Sequence, residues 1–105
     1  MRRVEFRRFF DNENALRVHF DLERGQVLSF VVQLECDFEE GEWIAIIRYD
    51  TAHGFAHRDK IHPQRETQKT KIPVRSYKEG LNFAIDDLES NWREYRRRYE
   101  EWLRE

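Results

Sequence analysis

The sequence predicts an α+β fold in which an antiparallel sheet of four to five strands, a meander, carries one long C-terminal helix on one face. Two patterns indicate this fold. Apolar residues alternate with polar residues over the first half of the chain, which is typical of half-buried strands. Over the last third they recur at spacings of three and four, which is typical of an amphipathic helix. With 105 residues, the chain is expected to form one domain, residues 1–105.

Short turns separate the four strands predicted in the first half of the chain. The predicted strands cover residues 3–10, 16–22, 27–36 and 43–49. Asn and Asp side chains at 11–14, Gly25 and Gly41 suit the turns, and such short connections favour an antiparallel meander. The fourth strand is apolar on both faces, which predicts a central position. A fifth, short strand is expected near residues 71–74, after a polar and mobile segment at 65–71.

A long helix is predicted for the last third of the chain. Ser76 and Glu79 fit a capping box, in which each side chain satisfies a free backbone amide of the other. The apolar stripe consists of Leu81, Ala84, Ile85, Leu88, Trp92, Tyr95, Tyr99, Trp102 and Leu103. About 25 residues would span about 37 Å, which is long for so small a domain. Either a bend near Ser90 and Asn91 or a contact with a second protomer is therefore expected.

The net charge of −2 conceals an uneven distribution of charge. Residues 35–42 carry five acidic side chains and no basic one, whereas residues 48–78 carry eight Lys and Arg against three acidic residues. The basic segment favours an anionic partner such as phosphate or nucleic acid. A solvated loop is the alternative interpretation.

Three features place the protein in a reducing, aqueous compartment. Cys36 is the only cysteine, so no internal disulfide can form. The first residues lack the apolar segment of a signal peptide. No run approaches the roughly 20 apolar residues of a membrane span. A soluble cytoplasmic protein without a membrane partner is therefore expected.

Residues 48–62, RYDTAHGFAHRDKIH, are the predicted functional segment. They follow the apolar run WIAII and contain three histidines, two aspartates, two arginines, a lysine and a tyrosine. A buried strand that leads into a loop of titratable groups is a common support for a site. The predicted catalytic residues are His53, His57, Asp50, Arg48 and Arg58, and the predicted substrate-binding residues are Lys60, His62 and Tyr49.

These residue types suit RNA cleavage without a cofactor. His53 and His57 would act as base and acid, because an ordinary imidazole titrates near neutral pH. Asp50 would orient a histidine, while Arg48 and Arg58 would contact the phosphate. RNA supplies its own nucleophile, the 2′-hydroxyl, so no metal is needed.

A metal site and a purely structural loop are the alternatives. Asp50, His53, His57, Asp59 and His62 are all possible nitrogen or oxygen ligands. Their spacing matches no known metal signature, so the prediction contains no metal and no cofactor. In the structural alternative, the aspartate and histidine side chains only cap turns and bridge backbone groups.

The block RYDTAHGFAHRD, together with Ile61-His62-Pro63 and the Asp87…Asn91…Tyr95 helix, resembles a family of small uncharacterised prokaryotic proteins, a domain of unknown function. That family shares an Arg-Tyr-Asp-x-Ala-His-Gly-x-x-His-x-Asp block. The block is more distantly similar to that of TumE-type toxins of toxin–antitoxin pairs. By this resemblance, the site positions are Arg48, Asp50, His53, His57 and Asp59. No catalytic assignment accompanies them.

Two hypotheses of different class follow. In the first, the protein is a toxin-like RNA-acting or RNA-binding protein, with ribonuclease activity from the histidine pair and a cognate antitoxin as protein partner. In the second, it is a non-catalytic protein-interaction or structural module. Its acidic hairpin and helix end would then contact a partner protein or a second copy in a homodimer. The sequence pattern leaves open whether the protein is an enzyme.

Overall fold

The computed structural model describes all residues from Met1 to Glu105 and contains one six-stranded antiparallel sheet and one helix. The elements are β1 (Arg2–Asp11), β2 (Asn14–Glu23), β3 (Gln26–Glu39), β4 (Glu42–Asp50), β5 (His57–Lys60), β6 (Gln68–Lys71) and α1 (Tyr77–Leu103). Every strand pairs with its neighbour in the sequence, in the order β1-β2-β3-β4-β5-β6. The predicted α+β meander with a C-terminal helix is therefore confirmed.

The strand count is six rather than four to five, and the difference lies between residues 57 and 71. This part was expected to be a loop with a mobile segment at 65–71 and a short strand near 71–74. Instead β5 pairs with β4, and β6 pairs with β5 and ends at Lys71. Burial alternates along β5, but its buried residues are His57 and Asp59. Because these side chains are polar, a search for apolar alternation overlooks the strand.

The helix covers one face of the sheet only in part. α1 packs on β2, β3 and β4, and none of its Cα atoms comes within 8 Å of a Cα of β5 or β6. The core between helix and sheet is formed by alternate residues of β2 and β3, by β4, and by one stripe of α1. Its buried members include Leu16, Val18, Phe30, Val32, Leu34, Ile46, Ile47, Tyr49, Leu81, Ala84, Leu88, Trp92 and Tyr99. The helix-covered side of the sheet is called the helix side below, and the other side the open face.

α1 runs as one helix of 27 residues through Ser90 and Asn91, where a bend was one of two expected alternatives. A helix of this length spans about 40 Å, and the molecule measures 46 × 26 × 20 Å, so the elongated shape accommodates it. Half of the predicted capping box is present: Ser76 Oγ accepts from the Glu79 amide at 3.1 Å, whereas Glu79 Oε2 accepts at 2.8 Å from the amide of Arg75 and not from that of Ser76. α1 carries too many charged residues to be a candidate for a membrane-spanning helix.

The start of α1 lies directly on the sheet because Gly80 has no side chain. A Cβ at this position would lie 3.2 Å from two carbons of the Phe30 ring and 3.3 Å from Val74. The missing Cβ therefore permits the close approach of helix and sheet at this end.

Leu88 and Leu103 provide a matched test of how the helix stabilises the sheet. Leu88 is fully buried, whereas Leu103 is 49% exposed. We expect Leu88→Ala to lower the free energy of unfolding by about 2 to 5 kcal/mol, because it removes buried methyl groups and leaves a cavity. Leu103→Ala should cost well under about 1 kcal/mol. Urea denaturation measures both variants, and equal losses would contradict the packing described.

Candidate functional site

The β4–β5 hairpin divides the predicted site residues between the two faces of the sheet. Successive side chains of a strand point to opposite faces, so Arg48 and Asp50 lie on the open face and Tyr49 between them lies on the helix side. Asp50 pairs with His57, and Tyr49 pairs with Arg58. The open face thus receives Arg48, Asp50, His57 and Asp59, and the helix side receives Tyr49, Arg58 and Lys60. The sequence interpretation had placed these residues in one site.

On the open face, Asp50, His57 and Asp59 form a buried cluster. His57 Nε2 lies 3.0 Å from Asp50 Oδ1 and 3.7 Å from Asp59 Oδ1. The three residues are 9%, 2% and 6% exposed, in that order along the chain. Lys69 Nζ donates to both oxygens of Asp59 at 3.2 and 3.3 Å. Asp50 therefore contacts His57, while its predicted catalytic role stays a prediction.

The loop at residues 51–56 folds against this cluster and shields it. Asp50 Oδ1 accepts from the Ala52 amide at 2.9 Å, and Thr51 Oγ1 accepts from the Phe30 amide at 3.2 Å. The Gly54 amide donates to Thr51 O at 3.1 Å. Gly54 has a φ of 83°, which a glycine adopts without strain. The turn is thus fixed at both ends and holds the ring of Phe55 against that of His57, with centroids 5.6 Å apart.

The two histidines of the predicted acid–base pair are neighbours with different surroundings. Their ring centroids lie 5.4 Å apart. His53 is exposed, whereas His57 turns Nε2 towards Asp50 and has Nδ1 3.4 Å from the carbonyl oxygen of Phe55. Both nitrogens of His57 thus face protein groups. This geometry favours a ligand or structural role for His57 over direct contact with a substrate.

Arg48 belongs to a hydrogen-bonded row on the open face. Its Nε donates to Gln33 Oε1 at 3.1 Å, and Gln33 donates to Glu35. Glu35 also accepts from Arg7 at 3.1 Å and from Arg17 at 2.8 Å. Burial acts to raise the pKa of the Glu35 carboxyl, but the hydrogen bonds from Arg17 and Gln33 and the positive charges nearby outweigh it, so this pKa is lowered. Positive charge on this part of the open face is largely compensated within the protein.

On the helix side, Tyr49 belongs to a network centred on Asp87 of α1. The hydroxyls of Tyr49 and Tyr95 both donate to Asp87 Oδ2 at 2.7 Å, and Asn91 donates to Oδ1 at 2.8 Å. Asp87, Asn91 and Tyr95 lie four residues apart and so share one face of the helix. This spacing was the available signal in the sequence, yet Asp87 and Tyr95 were absent from the predicted site.

The Asp87 network keeps both phenols neutral. Burial and the hydrogen bond to the Asp87 carboxylate raise the pKa of Tyr95 to about 12. Burial and the same carboxylate also raise the pKa of Tyr49. A deprotonated phenol would lose its hydrogen bond and face the Asp87 charge, which is the physical cause of both shifts.

Three cations lie beside this network without a carboxylate partner within 4.0 Å: Arg58, Lys60 and Arg98. The Nε atom of Arg58 is buried and has no hydrogen-bond partner. Burial acts to lower the pKa of Arg58, but Tyr49, Tyr95 and Asp87 raise it overall. Burial and the positive charges of Arg58 and Arg98 lower the pKa of Lys60. Asp87 is one negative charge beside three positive ones, so this part of the helix side carries a net positive charge.

Lys60 also lines a cavity of about 490 Å³ near the end of α1, together with Arg65 and Glu66. His62 and Trp102 line the same cavity, and their rings lie 4.5 Å apart. His62 Nδ1 accepts from the amides of Gln64 and Arg65, both at 3.0 Å, while its Nε2 is buried without a partner. The surface from Arg58 and Arg98 to Trp102 is called the basic groove below. It contains Arg58, Lys60 and His62 of the predicted site.

Fold and site together define a small sheet-and-helix domain with a buried polar cluster on one face and a basic groove on the other. The chain belongs to a family described as a domain of unknown function (DUF7718), whose model matches residues 1–105. No curated protein matches the chain. No solved structure matches it either.

Tyr95 provides a pH test of the Asp87 network. Its pKa is raised from about 10, the value of an unfolded chain, to about 12 in the fold. The hydrogen bond therefore contributes fully below about pH 10, and its contribution is lost as the pH rises towards 12. We expect Tyr95→Phe to cost about 1 to 2 kcal/mol at pH 8. The stability difference from wild type should shrink between pH 10 and 12, and urea denaturation at each pH measures it. A difference independent of pH would contradict the network.

Proposed function

We propose that the protein binds single-stranded RNA in the basic groove. The observation that carries this proposal is the convergence of Arg58, Lys60 and Arg98 without carboxylate partners. Three neighbouring cations without an ion-pair partner suit a ligand with several negative charges at intervals, and a phosphate backbone has that property. Such a ligand would also relieve the unfavourable proximity of Lys60 to its two cationic neighbours.

Aromatic groups in the groove favour RNA over a simple anion. Trp102 and His62 line the cavity that Lys60 borders. Proteins that bind single strands combine a cationic track for the backbone with rings on which bases stack. The His62 Nε2 and the Arg58 Nε are buried polar atoms without a hydrogen-bond partner beside this surface. The groove therefore offers both elements of single-strand recognition.

The resemblance of residues 48–59 to TumE-type toxins supports RNA as the ligand class. A toxin-like role in the cytoplasm would bring a cognate antitoxin as a second, protein partner. The geometry supports binding better than cleavage, because both nitrogens of His57 face protein groups. RNA cleavage by His53 and His57 stays a prediction that a nuclease assay decides.

A protein-interaction module is the second candidate, and the edge of the sheet favours it. β1 is an edge strand of ten residues, so its outer backbone groups have no strand partner. Such an edge can accept a strand from a partner protein or from a second copy. Light scattering of the purified protein distinguishes a homodimer from a monomer.

The binding proposal predicts the effect of removing one groove cation. With a fluorescent single-stranded RNA of about 12 nucleotides, we expect Lys60→Gln and Arg98→Gln each to weaken binding several-fold in fluorescence anisotropy. Each should also reduce the slope of log affinity against log salt by about 0.7, the value for one phosphate contact to a single strand. Lys78→Gln and Arg75→Gln make the same charge changes at exposed positions near the start of α1 and serve as controls. Equal weakening by groove and control variants would show that only overall charge matters.

A nuclease assay addresses the histidine pair separately. Wild type, His53→Ala and Lys60→Gln are incubated with the same RNA in the presence of a chelator. On the geometry of His57 we expect binding without cleavage in all three. Cleavage by wild type that His53→Ala abolishes would instead establish the acid–base pair.

A further inference from the structure

The buried cluster of Asp50, His57 and Asp59 on the open face is not used by the basic groove. We infer that these three residues form a site for one divalent first-row transition-metal ion, such as Zn²⁺ or Mn²⁺. The site lies on the opposite face of the β4–β5 hairpin from the groove, so the inference is independent of RNA binding. No metal was predicted from the sequence, because the ligand spacing matches no known signature.

Strand geometry brings the three ligands together. Asp50 and His57 are directly paired across β4 and β5, and Asp59 follows His57 by two residues on the same face. One ligand atom from each residue lies within 4.8 Å of the others. The pairing of β4 with β5 brings the three ligands together, and no motif of short spacing encodes it. The sequence alone therefore does not reveal that these three side chains meet.

The distances in the cluster match those between ligands of one metal ion. With metal–ligand bonds of about 2.1 Å, neighbouring ligand atoms lie about 3.0 Å apart in an octahedral site and about 3.4 Å apart in a tetrahedral site. His57 Nε2 lies 3.0 Å from Asp50 Oδ1 and 3.7 Å from Asp59 Oδ1. Small side-chain rotations therefore suffice to form the site.

His57 can turn a ring nitrogen towards two carboxylates and a metal ion between them. Nε2 lies 3.0 Å from Asp50 Oδ1 and 3.7 Å from Asp59 Oδ1. Nδ1 lies 3.4 Å from Phe55 O, an atom that can only accept. In the tautomer with the ring hydrogen on Nδ1, Nε2 has a free lone pair for the ion. A metal-binding histidine usually donates the hydrogen of its other ring nitrogen to a carbonyl or carboxylate oxygen, which fixes the orientation of the ring.

Lys69 would compete with a metal ion for the carboxylate of Asp59. Its ammonium contacts both oxygens of Asp59, while its side chain is 56% exposed. It can therefore move into water when a metal ion binds. The imidazole nitrogen suits Zn²⁺, and the two carboxylates suit the harder Mn²⁺. Burial of all three residues suits a site that ties β4 to β5.

Calorimetric titration of chelator-treated, dialysed full-length protein with ZnCl₂ and with MnCl₂ tests this inference. We expect one equivalent of at least one ion to bind, with a rise in melting temperature. Asp59→Asn should lower the affinity at least tenfold, and Lys69→Gln should raise it by removing the competitor. Asp86→Asn, an exposed carboxylate on α1, is the matched control and should leave the affinity unchanged. Lys60→Gln should also bind metal normally, which separates this result from the RNA proposal.

Two outcomes would overturn the metal site. One is the absence of stoichiometric binding of either ion to wild type and to Lys69→Gln. The other is equal binding by Asp59→Asn and Asp86→Asn. In either case, Asp50, His57 and Asp59 form a structural polar cluster that ties β4 to β5 without a metal ion. Lys69→Gln changes an exposed side chain, so it decides the question even if Asp59→Asn fails to fold.

Discussion

The structure depends on the burial of one apolar sheet face by a single helix. α1 supplies the whole cover, and it lies on β2, β3 and β4 only. The most buried large side chains, among them Phe30, Leu34 and Leu88, lie where helix and sheet meet. Burial of such side chains contributes the largest favourable free energy of folding. Because α1 covers the sheet only as far as β4, β5 and β6 lie beyond the helix and carry polar residues on both faces.

The partial cover explains why the candidate sites lie on the β4–β5 hairpin. β4 is held in the core by Ile47 and Tyr49, whereas β5 is held by its ladders with β4 and β6 and by polar contacts. β4 is rigid because the helix packs on it, whereas no helix packs on β5. Side chains on these two strands therefore have fixed positions beside a part of the sheet that the helix leaves open. The hairpin therefore presents the Asp50–His57–Asp59 cluster on one face and the basic groove on the other.

The sequence predicted those strands and the helix whose buried side chains are apolar. Alternation in residues 16–22 and 27–36 and the three-and-four spacing from Leu81 to Leu103 located β2, β3 and α1, and Ser76 and Glu79 located the helix start. β5 was missed because its buried residues are His57 and Asp59. A bend in the helix or a contact with a second protomer was expected because a straight helix of this length exceeds a compact domain of 105 residues, whereas the molecule is 46 Å long.

The segment that contains the site was also predicted, but its internal arrangement was not. Residues 48–62 do hold most of the polar groups of interest. Adjacent residues of a strand face opposite ways, so Tyr49 and Arg58 could not join Asp50 and His57 once 48–50 and 57–60 were strands. Asp87 and Arg98 lie on α1, far from β4 and β5 in the sequence. Their positions beside Tyr49 and Lys60 depend on how the helix packs on the sheet, which one sequence does not reveal.

The meander has a consequence for how the chain folds during its synthesis. Each ladder joins segments that are close along the chain, and contacts of this kind form quickly. The helix is the exception, because its partners in β2 to β4 are translated well before it. Until α1 has left the ribosome, a nascent sheet would expose the ring of Phe30 and the side chains of Val32 and Leu34 to water. That interval is the time at which this chain is most prone to associate with other unfolded chains.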